Sequence, residues 1–450
     1  MIFKESLYGR IPDEWDILPL KDLCDNPGGV QTGPFGSQLH QRDYVKKGTP
    51  IITVEHLGNN RITHVNLPRV SVEDQKRLAR YTLKQGDIVF SRVGSVDRRS
   101  LVRDEEDGWL FSGRCLRVRP NTEKIDPRYL SWFFGLSNFQ EYIRRIAVGA
   151  TMPSLNTDLL ENVEVIVPPL PEQRAIASIL GALDDKIELN RQMNRTLEAV
   201  AQALFKSWFV DFDPVWAKKE GRQPFGMDAD TASLFPDEFE ESELGLIPAG
   251  WRVVPLGEEF NITMGQSPPG NTYNEVGQGI PFYQGCRDFM FRYPLRRVYC
   301  TAPTRFARDG DTLVSVRAPV GNINMAIEPC AIGRGLAAVR HKGDGRSYTY
   351  LSMTFLKDFF AIFESHGTVF GSLSKKDFQG PSVCAPATEV INRFEQIVEP
   401  IDSQIENNEL ETLTLAALRD TLLPKLLSGE LRVPTATESV LSQEVTLHDA

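Results

Sequence analysis

Between residues 171 and 210 the apolar positions fall on a single stripe. Ile176, Leu180, Leu183, Ile187, Asn190, Asn194, Leu197, Ala201, Leu204 and Trp208 follow one another at alternating steps of four and three residues. That alternation is the seam of a coiled coil. Pro171 suits a first helical turn, where its missing N–H costs nothing, and Asp213-Pro214 stops the pattern. The stretch predicts a helix about 57 Å long at roughly 1.5 Å per residue, more than one small domain can cover. Moving each seam position 218 residues along gives Phe394, Val398, Ile401, Ile405, Asn408, Thr412, Leu415, Arg419, Leu422 and Leu426. All but Thr412 and Arg419 are apolar or repeat the Asn. A second long helix is therefore expected over 388–430, and the natural partner of each helix is the other. Asn190 and Asn408 hold matching places, and a buried Asn in a seam fixes register at some cost in stability. Pro400 is expected to kink the second helix, because it removes a backbone bond and crowds the preceding turn. The plainer alternative is that each helix packs only on its own domain.

The remaining pattern is a repeat. Gly9-Arg-Ile-Pro-Asp-Glu-Trp-Asp-Ile-Leu-Pro-Leu20 and Gly245-Leu-Ile-Pro-Ala-Gly-Trp-Arg-Val-Val-Pro-Leu256 share Gly, Ile, Pro, Trp, Pro and Leu at identical spacing. Gly86-Asp-Ile-Val-Phe-Ser91 is echoed by Gly310-Asp-Thr-Leu-Val-Ser315, Gly113-Arg114 by Gly333-Arg334, and Tyr129-Leu-Ser131 by Tyr350-Leu-Ser352. Fixed echoes of this kind mark a duplication. The Gly-Asp stretches read as turns into short buried strands, as do Leu116–Arg119 and Leu336–Arg340. Residues 129–142 and 348–363 read as helices. Each block is an α+β domain, the first over 1–170 and the second over 245–387. Residues 171–210 and 388–430 are the long helices, 211–244 an extended acidic linker, and 431–450 a disordered Ser/Thr/Glu-rich tail.

Composition narrows the class. With 41% hydrophobic and 24% charged residues, the chain reads as a soluble cytoplasmic protein of two or three domains. No apolar run approaches a membrane span. The six cysteines show no CxxC pair or metal spacing. His56 and His64 have no carboxylate cluster around them in sequence, so no metal site is expected. The net charge of −10 argues against a polyanion partner, but its distribution does not. Residues 39–145 carry 20 Lys/Arg against 13 Asp/Glu, residues 246–380 carry 15 against 11, and residues 211–244 carry 3 against 10. Two mildly basic blocks flank an acidic one, and local fields steer a polyanion more than the total does.

No catalytic centre is legible. The chain has no GxxxxGK[ST] loop, no GxGxxG after a strand, no Gly-x-Ser-x-Gly elbow and no HExxH. What stands at matching places is Arg and Gln in Gly-bounded loops. The candidate nucleic-acid contacts are Ser37, Gln38, Ser91, Arg92, Arg98, Arg99, Arg114 and Arg117 in the first block, and Gln284, Arg287, Arg317 and Arg334 in the second. Arg donates two hydrogen bonds in one plane to guanine or phosphate, and Gln can read adenine. For any one of them a surface ion pair is an equally good account; the set is what favours nucleic acid. A protein–protein scaffold with duplicated binding domains, or an enzyme with an unrecognised site, are the competing readings.

These residues also carry a resemblance. Gly33-Pro-Phe-Gly-Ser-Gln-Leu39, Gly265-Gln-Ser-Pro-Pro-Gly270, Gly279-Ile-Pro-Phe-Tyr-Gln-Gly285 and the paired Gly-x-Ile-Pro-x-x-Trp openings are joined by Pro168-Pro-Leu-Pro-Glu-Gln-Arg174 before a long helix with Asp184-Asp-Lys-Ile187. Together they resemble the specificity (S) subunit of type I restriction–modification enzymes, over residues 9–430. The second half departs where Pro386-Ala-Thr-Glu-Val390 replaces the Pro-Leu-Pro-Glu-Gln pattern. The resemblance implies two target-recognition domains, each reading half of a split double-stranded DNA site, and two long helices paired as an antiparallel coiled coil that sets the gap. It implies two methyltransferase (M) subunits docked on those helices, and restriction (R) subunits. It implies no catalysis and no cofactor in this chain, with S-adenosylmethionine, ATP and Mg2+ belonging to the partners.

Overall fold

The computed structural model describes residues 2–149, 151–365 and 371–433. The chain forms two compact units. One is built from the chain up to Ile187 together with the chain from Thr414 onward; the other is Glu188–Leu413. The units therefore do not follow the linear domain limits read from the sequence. Each takes a part of both long helices, Leu170–Phe209 and Thr388–Leu427.

In the first unit an antiparallel sheet has the order Val30–Thr32, Cys115–Val118, Ile88–Ser91, Arg99–Leu101. A second sheet has the order Tyr44–Val45, Arg69–Val70, Thr49–Ile52, Leu110–Phe111, with its last pairing parallel. Asp16–Pro19 pairs with Glu164–Val167, the strand that leads into the first long helix. The second unit repeats this plan. Phe260–Met264, Leu336–His341, Thr312–Ser315 and Ile323–Met325 form the first sheet. Tyr273–Asn274, Tyr299–Cys300, Ile280–Tyr283 and Cys330–Ile332 form the second, again with a parallel last pairing. Phe306–Ala307 is an additional edge strand here, and Arg252–Pro255 pairs with Ser382–Ala385. The duplication read from scattered Gly and Pro echoes is thus a duplication of strand order. The segments read as single helices are each two. Pro127–Phe133 and Ser137–Ile146 are divided around Gly135, and Arg346–Phe355 is followed by Lys357–Ser365.

The long helices pair antiparallel within each unit. In the first, Asp184 meets Arg419, while further back along the helix Glu172 meets Arg432 just beyond the second helix's end. In the second, Asn190 meets Glu411 and Phe205 meets Phe394. All the seam positions named above are buried or half-buried: Ile176, Leu180, Ile187, Asn190, Asn194, Ala201, Trp208, Phe394, Val398, Ile405, Asn408 and Leu426 are buried, and Leu183, Leu197, Leu204, Ile401, Thr412, Leu415, Arg419 and Leu422 half-buried. Asn408 donates to Asn194 Oδ1 at 2.8 Å, and Asn194 Nδ2 to Glu409 Oε1 at 3.2 Å. Asn190 Nδ2 donates instead to Glu411 Oε2 at 2.8 Å. The side-chain partner of Asn408 across the seam is therefore Asn194, because antiparallel pairing does not set equal positions face to face.

The first-turn residues of the Pro-Glu-Gln sequence are structural. Buried Glu172 accepts from Trp15 Nε1 at 3.1 Å and from Arg432 Nε at 2.6 Å. Gln173 accepts from Asp126 N and donates to Pro168 O, each at 2.8 Å. Val390 and Ile391 stand 218 residues on, buried in an apolar core. That accounts for the loss of the motif in the second half.

The second long helix is continuous through Pro400. Pro400 and Gln396 are both exposed, so the carbonyl that proline frees can be met by water. Residues 211–244 are not an extended linker. Asp213–Lys219 and Ala229–Ser233 are helices, and Phe239–Ser242 pairs with Gly245–Pro248 as a hairpin. Val215 and Phe235 enter the core with Trp208, Phe209 and Trp251, while the acidic side chains of 237, 238, 240 and 241 stay exposed. The spaced aromatics outweighed the charge. Of the tail expected over 431–450, residues 434–450 lie outside the described residues. Among the described residues no helix is long and apolar enough to cross a membrane.

Candidate nucleic-acid interface

In each unit the same four loops are laced together. In the first unit Gly33 N donates to Cys115 O at 3.2 Å, which lays loop 33–36 on the Gly113-Arg114 turn. The approach excludes side chains. A Cβ on Gly33 would come within 2.2 Å of Ser112 O, and one on Gly113 within 2.4 Å of Pro34 O. Arg92 N then donates to Arg114 O at 2.8 Å, and Gly94 N to Pro153 O at 2.8 Å. The loops at 33–36, 113–114, 92–94 and 152–154 form one ridge.

The second unit builds the ridge again. Gly265 N donates to Leu336 O at 2.9 Å, and a Cβ on Gly265 would come within 2.2 Å of Gly333 O. Ser267 Oγ accepts from Arg334 N at 3.2 Å. Val316 N donates to Gly335 O at 2.9 Å and Arg317 bridges to Ser372. Gln284 Cα lies close to Gly333, so Gln284 and Arg334 share this edge.

The candidate residues separate by exposure. Arg98 and Arg114 in the first unit, and Gln284, Arg287, Arg317 and Arg334 in the second, are exposed. Arg114 lines an open depression of about 720 Å³ with Phe35, Gln41, Tyr44, His56 and Asn66. Gln284 and Arg287 line one of about 320 Å³ with Tyr273, Asn274 and Arg297. Arg92 is half-buried and donates to Gly113 O at 3.2 Å. Gln38 is half-buried; its Oε1 accepts from Tyr81 Oη at 2.6 Å and Arg80 NH2 at 3.4 Å. Arg98 spends one donor on Leu57 O. The side chain of Ser37 lies outside the described residues.

Three candidates are withdrawn. Ser91 is fully buried and donates to Val93 O at 3.0 Å. Arg99, 3% exposed, donates to Ser131 O at 3.0 Å. Burial draws its guanidinium down to about 10, opposed by the Asp184 charge. Arg117 is buried and donates to Gly28 O at 2.6 Å, and burial likewise lowers its pKa. None can meet a polyanion. Their sequence neighbourhood is that of the exposed arginines, and only the fold distinguishes them. Arg77 and Arg80 also stand exposed beside Gln38; they lie on a separate short helix and turn, with no repeat partner to draw notice.

Two further findings concern histidine. His56 is buried, and its Nδ1 accepts from Thr53 N at 3.1 Å. His64, expected to stand clear of carboxylates, lies 2.6 Å from Glu106 and 4.0 Å from Glu105. The two ring nitrogens face different carboxylates, forty residues away in sequence, so the cluster could not be read from spacing.

The comparisons decide the family. A family model described as "Type I restriction modification DNA specificity domain" matches residues 12–199. A Methanocaldococcus jannaschii protein provisionally named the type I restriction enzyme MjaX specificity subunit is 31% identical over 96% of this chain and 97% of its own length. The chain belongs to the type I restriction enzyme specificity subunits. The HindI specificity subunit of Haemophilus influenzae is a further relative, 28% identical over 83% of this chain and 92% of its own length. Among solved structures, the type I restriction–modification S subunit from M. genitalium aligns with a TM-score of 0.59 over 92% of this chain and 96% of its own, at 18% identity. That likeness supports the fold of this specificity subunit.

Proposed function

We propose that each unit reads one half of a split, asymmetric double-stranded DNA site, and that the paired helices set the unspecified gap and dock two methyltransferase subunits. The observation that carries this is the doubled ridge, with Arg114 and Arg334 exposed at equivalent turns beside glycine-clamped loops. Exposed arginines on rigid loops suit groove edges and phosphates. The chain itself performs no chemistry. It directs adenine methylation by the M subunits and, with R subunits, restriction, in the cytoplasm. S-adenosylmethionine, ATP and Mg2+ act on those partners.

The test is a methylome. The chain is expressed with its cognate M subunit, modified adenines are mapped, and a control omits the chain. A two-part motif around a fixed gap is expected. An assembled complex that methylates nothing in a chain-dependent way, with no salt-sensitive DNA affinity, would instead leave a protein scaffold.

A further inference from the structure

Phe35 is out of place for an aromatic of its unit. Phe90, Phe111, Phe133, Phe134 and Phe139 are all buried, whereas Phe35 is 58% exposed. It is not on a loose tip. Pro34 before it is buried, Gly36 after it adopts φ +61°, and Gly113 admits the loop only because it has no side chain. An apolar ring thus stands in solvent beside exposed Arg114, on the ridge that unit 1 would turn to DNA. The repeat supplies a contrast. Counted from the paired Gly33 and Gly265, the matching residue in the second unit is Ser267, whose hydroxyl is taken up by Arg334 N. At the position matched to Phe35 the second ridge carries a hydroxyl in place of a ring.

We propose that Phe35 makes an apolar contact with a base of the half-site read by the first unit, a contact that Ser267 at the matching position cannot make. This rests on the DNA reading above. An exposed Phe can meet DNA by two routes that share this chemistry: against a thymine methyl at a groove edge, or wedged into a base step. The adjacent arginine would hold the backbone while the ring meets the base.

The test uses the complex of the chain with its M subunit and a duplex carrying the methylome-derived site. One arm replaces each thymine of that half-site by deoxyuridine. The other replaces each adenine by 2-aminopurine, which brightens when unstacked. Phe35→Ala is expected to weaken site-specific binding about tenfold, the size of one base contact, while Phe35→Leu retains part of it. Loss of affinity with deoxyuridine at one position, in wild type and not in Phe35→Ala, supports the thymine route. A 2-aminopurine signal abolished by Phe35→Ala supports insertion. Unchanged thermal unfolding of both variants is expected, since the ring contributes little to the core. Wild type and Phe35→Ala binding the site within twofold, with identical probe responses, would overturn the proposal and leave the DNA reading standing. Wild-type complex that shows no site preference at all would overturn both.

Discussion

Asp184 and Asp402 stand 218 residues apart on the two long helices, and each fastens the helix pair to its own unit. Asp184, 5% exposed, accepts from Arg61 at 3.2 Å, Arg103 at 3.4 Å and Arg419 at 3.2 Å. Asp402 accepts from Arg292 at 2.8 Å and Ser347 Oγ at 2.7 Å. Arg292 is itself buried. Burial opposes its charge, but Tyr350, Asp402 and Glu198 outweigh that and hold it above the ordinary arginine value. A buried ion pair is weak evidence of net stabilisation, whereas removing one partner strands the other. Asp184→Asn should therefore cost about 3–5 kcal/mol, read as a lower denaturant midpoint. Arg292→Met should cost a similar amount by leaving Glu198 and Asp402 unpaired. A change under about 0.5 kcal/mol in either would show the cluster to be ordinary surface charge. At the ridge, Arg114→Ala and Arg334→Ala should each relax methylation specificity at one half-site and leave the other unchanged. Equal relaxation at both halves would contradict independent reading.

At the scale of the helices, the Asn194, Asn408 and Glu409 group replaces apolar packing inside the seam. Asn194→Leu removes the hydrogen bond it makes with Asn408 and the one it gives Glu409 at once, and a buried polar atom left without its partner costs about 1–3 kcal/mol. Loss of stability is the expected result, and a gain would mark these residues as passive. Glu409 adds a pH signature. Burial raises its carboxyl above the usual value, against the hydrogen bond from Asn194. Its folded pKa exceeds its unfolded one, so its favourable contribution is full below the ordinary glutamate pKa and falls away as pH rises through the raised value. Glu409→Gln should flatten that part of the stability profile, measured by urea unfolding across mildly acidic to neutral pH. Much at this scale was legible. Seam spacing is local, so Ile176 to Trp208 declared the first helix, and the 218-residue echo declared the second. The fastening role of Asp184 was hidden because Arg61 and Arg103 come from distant loops. Arg99 and Arg117 misled for the same reason: burial is a property of what folds over them, here Ser131 and Gly28.

The whole molecule is threaded unevenly. The second unit is one continuous stretch, Glu188–Leu413, but the first needs both ends of the chain. Leu426 and Leu427 are buried in a core with Ile11 and Trp15. Arg432 spans Glu14 at 2.7 Å and Glu172 at 2.6 Å, and lies over the Trp15 ring. Gly429 packs so near that a Cβ would come within 2.5 Å of Pro12. A chain ending at Leu413 should keep the melting transition of its second unit and lose that of its first, as followed by calorimetry. The sequence hid this too, since a seam says which helices pair and not which core their ends enter.

That threading has a consequence in time. On the ribosome the stretch up to Ile187 emerges well before Leu426 and Leu427, which share its core. Between Ile187 and Thr414 lie about 230 residues, which at 5–20 residues per second take roughly 10–45 s to synthesise. Through that interval the earlier half waits with an apolar cleft open, while the later half can close as soon as its own stretch is out. The unit that is begun first is completed after the other, so a stop ahead of Leu426 disables the residues made earliest.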